Sequence, residues 1–130
     1  MRLLEATTYG YRITLRPPFD PPMLRALHDE IAKRVPRREA FAVLVDLRSV
    51  SAFPIETQEI LKQCIDLLKT AGMGRQAIVL DDAIAKLQAQ RLSKEMGILD
   101  LCRFLDASSD AEWETAALDW LTGGVDPYYL

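Results

Sequence analysis

At 130 residues the chain suits one domain burying roughly two-thirds of its unfolded surface, expected over 1–130 with a short tail from 124. A net charge of -3 and a pI near 5.2 argue against nucleic-acid binding, which needs a basic footprint. No apolar run approaches the length of about 18 residues that a membrane span needs, and Met1-Arg2-Leu3-Leu4-Glu5 reaches a charge before any stretch of signal-peptide length.

From the N-terminus, Leu3 to Thr8 and Tyr11 to Leu15 flank Tyr9-Gly10, which reads as a tight turn. Tyr11, Ile13 and Leu15 alternate with Arg12, Thr14 and Arg16, the period of a strand with one wet face, so an antiparallel hairpin at a sheet edge is expected. Asp20 before Pro21 starts a helix, because an acceptor side chain precedes a residue with no N–H to lose. Leu24, Leu27, Ile31 and Val35 give that helix one apolar stripe, Lys33 and Arg34 suit its C-terminal dipole, and Pro36 ends it.

Phe41-Ala42-Val43-Leu44-Val45 is apolar on both faces and ends at Asp46, as a central parallel strand does. After the loop Arg48 to Phe53 comes a long helix, with Ile60, Leu61, Cys64, Ile65, Leu68 and Ala71 on its apolar face and Gly72 and Gly74 at its end. Gln76 to Leu80 is a second buried strand, closing at Asp81-Asp82. A third helix spans about Ala83 to Met96, with Ile84, Leu87, Leu92 and Met96 inward and Lys86, Gln90 and Lys94 outward. Leu101 to Leu105 is the last strand, ending at Asp106. Ser109-Asp110-Ala111-Glu112 has the form of a capping box for a fourth helix with Trp113, Ala117, Trp120 and Leu121 inward. The order β-β-α-β-α-β-α-β-α implies an α/β fold: a mixed sheet with an N-terminal antiparallel hairpin, parallel βα units, and helices packed on it.

This order, with Val45-Asp46-Leu47 at a strand end, Gln76-Ala77-Ile78-Val79-Leu80-Asp81-Asp82, Gln88-Ala89-Gln90-Arg91-Leu92 in the next helix and the closing Ala117-Leu118-Asp119-Trp120-Leu121, resembles the STAS superfamily, the anti-sigma-factor-antagonist fold. It is most similar to the SpoIIAA-like branch, and the resemblance covers most of the chain. Signalling members open the helix after the corresponding loop with an Asp-Ser-Ser-Gly motif whose serine is phosphorylated. Here the stretch reads Pro54-Ile55-Glu56-Thr57, so the acceptor serine is absent. The resemblance implies a regulatory or binding domain without catalysis, and members of the wider group are compared with lipid-carrying domains.

Open α/β sheets place ligand and partner sites at the loops that follow their parallel strands. The expected contact surface is therefore the loop and helix start carrying Arg48, Ser49, Ser51, Phe53, Glu56 and Thr57. On that reading, replacing Arg48 and Glu56 together leaves the melting temperature nearly unchanged and abolishes partner capture. The hydroxyls of Ser49, Ser51 and Thr57 also read as turn and cap bonds. Asp46, Asp81, Asp82 and Asp106 end three strands; they are either an acidic edge able to hold Mg²⁺ or, more commonly, turn and cap residues.

His28 borders an apolar stripe and reads as structural, and no catalytic triad can be assembled from spacing. Cys64 and Cys102 have no CxxC partners and read as buried, reduced thiols, which sets the expected compartment as cytoplasmic. Arg34, Arg37 and Arg38 form a local basic patch, and Tyr128-Tyr129-Leu130 is a short aromatic tail, either frayed or docked, whose apolar area makes a modest case for a self-association surface. The reading is a non-catalytic interaction module whose partner is a protein or a second copy of itself, with no catalytic residue, metal or cofactor. The alternatives are a carrier of a small apolar ligand held near Phe41, Ile60, Ile84 and Trp113, and a Mg²⁺-dependent enzyme using the strand-end aspartates.

Overall fold

The N-terminal alternation forms β1 (Leu4–Ala6) and β2 (Gly10–Thr14), paired antiparallel with Leu4 opposite Ile13. The computed structural model, which describes residues 2–129, moves the turn one step earlier than the Tyr9-Gly10 expectation. Thr7 Oγ1 accepts the Gly10 N–H at 3.0 Å, so Thr7 closes the hairpin and Gly10 already belongs to β2. Gly10 is required there: its φ is +150°, and an added Cβ would lie 2.1 Å from the Ala42 carbonyl oxygen of the neighbouring strand.

Helix α1 (Pro21–Arg34) starts as its sequence predicts, with Asp20 Oδ1 accepting the Met23 N–H at 3.1 Å. Strand β3 (Phe41–Asp46) is buried at all six positions. Helix α2 (Ile55–Ala71) ends at Gly72, left-handed at φ +118°. Gly74 does not punctuate the helix end; it lies within β4 (Met73–Leu80), which starts earlier than the apolar run suggests. Helix α3 (Ala83–Glu95) is capped by Asp82 Oδ2, which accepts the Ala85 N–H at 2.9 Å. Leu101 belongs to a single 3₁₀ turn, and the last strand is β5 (Cys102–Asp106).

The capping box at 109–112 does not form. Asp106 accepts the Ser108 N–H and hydroxyl, and Asp110 Oδ1 accepts the Glu112 N–H at 2.9 Å, so these side chains close local turns instead. Helix α4 (Trp113–Gly123) therefore begins where the first buried tryptophan can dock, with Glu112 at the cap position making no side-chain cap bond.

The sheet order is β1-β2-β3-β4-β5, antiparallel between the first two strands and parallel thereafter. Sequential parallel strands joined by right-handed crossovers put their helices on one face. Accordingly α1, α2 and α3 share one core with Phe41, Val43 and Val45, whereas α4 covers Ala42 and Leu44 on the opposite face. Helix α4 packs against β3, β4 and β5. No helix among the described residues is long and apolar enough to cross a membrane.

Helix α3 departs from its expected face. Ala85, Ala89, Leu92 and Ser93 turn inward, while Ile84 and Leu87 are exposed. Two apolar stripes run side by side along this helix, and the one rich in small residues meets the sheet because alanines let the backbone approach closely. Hydropathy periodicity alone does not separate the two.

Candidate functional site

The carboxyl edge of the parallel strands is organised by Asp46. Its side chain has the parity of Ala42 and Leu44, so it turns to the α4 face, where it is 0% exposed. A buried carboxylate is costly to desolvate unless it is paired. Asp46 Oδ2 receives Arg12 Nη2 at 3.1 Å, Arg16 Nη2 at 2.9 Å and Arg48 Nη2 at 2.8 Å. Its Oδ1 receives Arg48 Nε at 3.0 Å and the Arg48 backbone N–H at 3.1 Å. Burial alone pushes this carboxyl upward in pKa, but the hydrogen bonds from Arg48 and Arg16 outweigh it and hold Asp46 well below the usual carboxylate range. One anion thus organises three cations from β2, the β2–α1 connection and the loop after β3. The Arg48 guanidinium lies 4.7 Å from the ring centroid of Trp113, the first residue of α4.

This geometry corrects two expectations. Arg12 and Arg16, assigned by alternation to a wet face, instead reach across to Asp46. Arg48 clasps Asp46 through three hydrogen bonds, so changing Arg48 and Glu56 together is expected to lower the melting temperature rather than leave it nearly unchanged.

The loop after Asp46 is anchored at each end. The Leu47 N–H continues the β3–β4 ladder to the Val79 carbonyl at 2.9 Å, and Val50 and Phe53 are buried. Ser49 sits at φ +71°, a conformation a non-glycine residue seldom adopts, and its N–H meets both carboxylate oxygens of Asp81 at 3.0 and 3.1 Å. Phe53 stacks on Phe19 with centroids 5.1 Å apart, and its N–H donates to Gln88 Oε1 of α3 at 2.7 Å. Gln58 Nε2 returns to the Phe53 carbonyl at 3.1 Å. Thr57 is fully buried and donates its hydroxyl to the Pro54 carbonyl at 2.6 Å. Phe53 and Thr57 therefore shape the loop from within and are not contact residues; Ser49, Ser51 and Glu56 are exposed, and Arg48 is half-buried.

The Phe53 N–H bond to Gln88 and the Arg91 bond to Gln58 tie the middle of α3 to the loop after β3 and to the first turn of α2. On these two helices stand the exposed residues that sequence reasoning missed: Ile55 is 84%, Ile84 60% and Leu87 66% exposed. Ile55 is the first residue of α2 and occupies the second position of Pro54-Ile55-Glu56-Thr57.

The strand-end aspartates do not form a shared acidic edge. Asp46 is enclosed by arginines, Asp81 holds the Ser49 amide, Asp82 caps α3 and Asp106 closes a turn with Ser108. Among the described residues no three His, Cys, Asp or Glu side chains are placed to hold one metal ion. Each aspartate satisfies the backbone or cations of its own strand end, which draws the carboxylates apart.

The residues named for an apolar ligand do not share a space. Phe41 lies in the core under α1–α3 and Trp113 in the core under α4, on opposite faces of the sheet. An apolar cavity between the sheet and α2–α3, lined in part by Val45, Phe53, Leu61 and Leu92, has a volume of about 60 Å³. Sites for small organic ligands run to roughly 300–1,000 Å³.

His28 Nδ1 lies 3.6 Å from its neighbour Asp29. Cys64 and Cys102 are buried, and burial pushes their thiols up to about 12 and about 11. Within the basic patch Arg34 pairs with Glu30 at 2.9 Å, while the Arg38 guanidinium lies 5.4 Å from the Tyr11 ring centroid and 5.2 Å from that of Phe41. Arg34 and Arg38, close in sequence, thus serve separate partners. A scan against family models, a search of curated proteins and a search of solved structures each returned no match to this chain.

Proposed function

We propose that the chain is a non-catalytic regulatory or protein-interaction module of STAS-like type, lacking the phosphoacceptor serine. The observation that carries this reading is the exposure of three large aliphatic side chains, Ile55 at the start of α2 and Ile84 and Leu87 three positions apart on α3, on helices bonded to each other and to the loop after β3. Large exposed aliphatics mark a surface for another protein. The loop beside them is held rigid by Asp46 and its arginines, so little ordering entropy opposes docking. Ser51, Ala52 and Glu56 complete the exposed face.

The test replaces Ile55, Ile84 and Leu87 by serine and places a photo-crosslinking residue at Ala52 in both backgrounds. The parent chain is expected to give a discrete crosslinked species in cells, either a heterologous partner or a second copy, and the triple variant to lose it. Each substitution removes an exposed side chain, so the melting temperature should stay within about 3 °C of the parent. Identical crosslinks in the two backgrounds would refute this surface.

A further inference from the structure

Strand β5 lies at the sheet edge, and an open edge is a template for another chain. Its residues 102, 104 and 106 turn their backbone groups away from β4, whereas the Ala107 N–H, of the other parity, donates to the Leu80 carbonyl. Most of this outer edge is closed by near neighbours. The Cys102 N–H returns to the Leu99 carbonyl, the Cys102 carbonyl accepts Arg103 Nη1 at 2.8 Å, and the Asp106 carbonyl accepts from Ser109 and Asp110.

The Phe104 N–H is treated differently. It donates to the hydroxyl of Tyr128 at 2.8 Å, a side chain from the segment that follows α4. That segment also places Asp126 against Arg103, with Nε to Oδ1 at 2.8 Å and Nη2 to Oδ2 at 2.8 Å. This is the two-pronged geometry in which arginine recognises a carboxylate. The Arg103 guanidinium lies 4.0 Å from the Trp120 ring centroid and 5.2 Å from that of Tyr128. The Tyr128 N–H turns back to Asp126 Oδ1 at 3.0 Å, so Asp126-Pro127-Tyr128 is a self-closed turn. It hangs from Gly123-Gly124, where Gly124 is left-handed at φ +69°.

Beside this turn a groove of about 440 Å³ runs between α3 and β5, lined by Arg91, Lys94, Leu99 and Tyr128 among others. The tail caps the edge and leaves the groove open. The edge thus reads a carboxylate through Arg103 and a hydroxyl through a backbone amide, with more cations and an exposed leucine alongside.

We propose that the β5 edge and its groove form a recognition site for a peptide segment with an aspartate two residues before a tyrosine, and that Asp126-Pro127-Tyr128 is its intramolecular occupant. The tail holds the site closed, and a protein partner carrying a matching segment, with a further acidic residue to meet Lys94, displaces it. This surface is separate from the one at the starts of α2 and α3.

The test uses the whole 130-residue chain carrying Asp126→Asn and Tyr128→Phe, which removes the negative charge facing Arg103 and the hydroxyl that meets the Phe104 N–H. The probe is a fluorescein-labelled peptide with the sequence of residues 123–129, followed by anisotropy. The variant is expected to bind at least about tenfold more tightly than the parent, a difference of about 1.4 kcal/mol, and adding Arg103→Gln should abolish binding. Hydrogen exchange at the Phe104 amide should quicken in the variant and slow again with peptide. Binding to neither chain, equal binding to both, retention of binding without Arg103, or an exchange rate indifferent to tail and peptide would each overturn the proposal.

Discussion

Asp46→Asn isolates the central electrostatic feature of the fold. The carboxylate is fully buried and accepts five hydrogen bonds from Arg12, Arg16 and Arg48, one of them from backbone. An asparagine keeps the volume but removes the charge, and turns an NH₂ group toward guanidinium donors. Deleting one member of a buried pair costs about 3–5 kcal/mol. Here the three arginines retain side-chain exposures of 27–36% and can rehydrate, so about 2–4 kcal/mol is expected. For a chain of this size that lowers the melting temperature by on the order of 10 °C. The assay is urea unfolding of parent and variant across pH. Because the folded-state pKa of Asp46 is depressed, its stabilisation is present above the unfolded carboxylate value of about 3.9 and is lost as pH falls below it. The gap between parent and variant should therefore be widest near neutrality and narrow as the pH drops below about 4. A loss under about 0.5 kcal/mol at pH 7, or a gap that widens on acidification, would refute the account.

Three further outcomes follow from local geometry. Ser49→Gly relieves a left-handed backbone at a solvent-exposed position, and should stabilise the chain by up to about 1 kcal/mol in the same unfolding assay; destabilisation would mean the Ser49 side chain makes a contact that matters. Gly10→Ala places a methyl group 2.1 Å from the Ala42 carbonyl oxygen, and should weaken β2–β3 pairing by more than about 2 kcal/mol, read as loss of folded protein by circular dichroism. Cys64 and Cys102, buried with thiol pKa values raised to about 12 and about 11, should react with a disulfide reagent at pH 8 at least about a hundredfold more slowly than in urea. Rapid native labelling of either would show that its helix or strand opens readily.

The element order, the all-buried β3, the Asp20 and Asp82 caps and the inward face of α4 were legible in the sequence because each rests on local rules: period, capping chemistry and the backbone limits of proline and glycine. The place of the loop after β3, at the carboxyl edge of the parallel strands, was legible for the same reason, since strand direction follows from the crossovers. Other features were decided only when distant segments met. Arg12 and Arg16 look like solvated alternates until β2 is laid parallel to β3 and Asp46 comes within reach, 34 and 30 positions away. Helix α3 carries two competing apolar stripes, and the sheet selected the one whose small residues fit, leaving Ile84 and Leu87 outside. Asp126 and Tyr128 acquire meaning only against Arg103 and Phe104, which the chain brings together at the edge of β5. Local propensity is written residue by residue, whereas pairing of charges and choice of face depend on which surfaces the topology sets opposite one another.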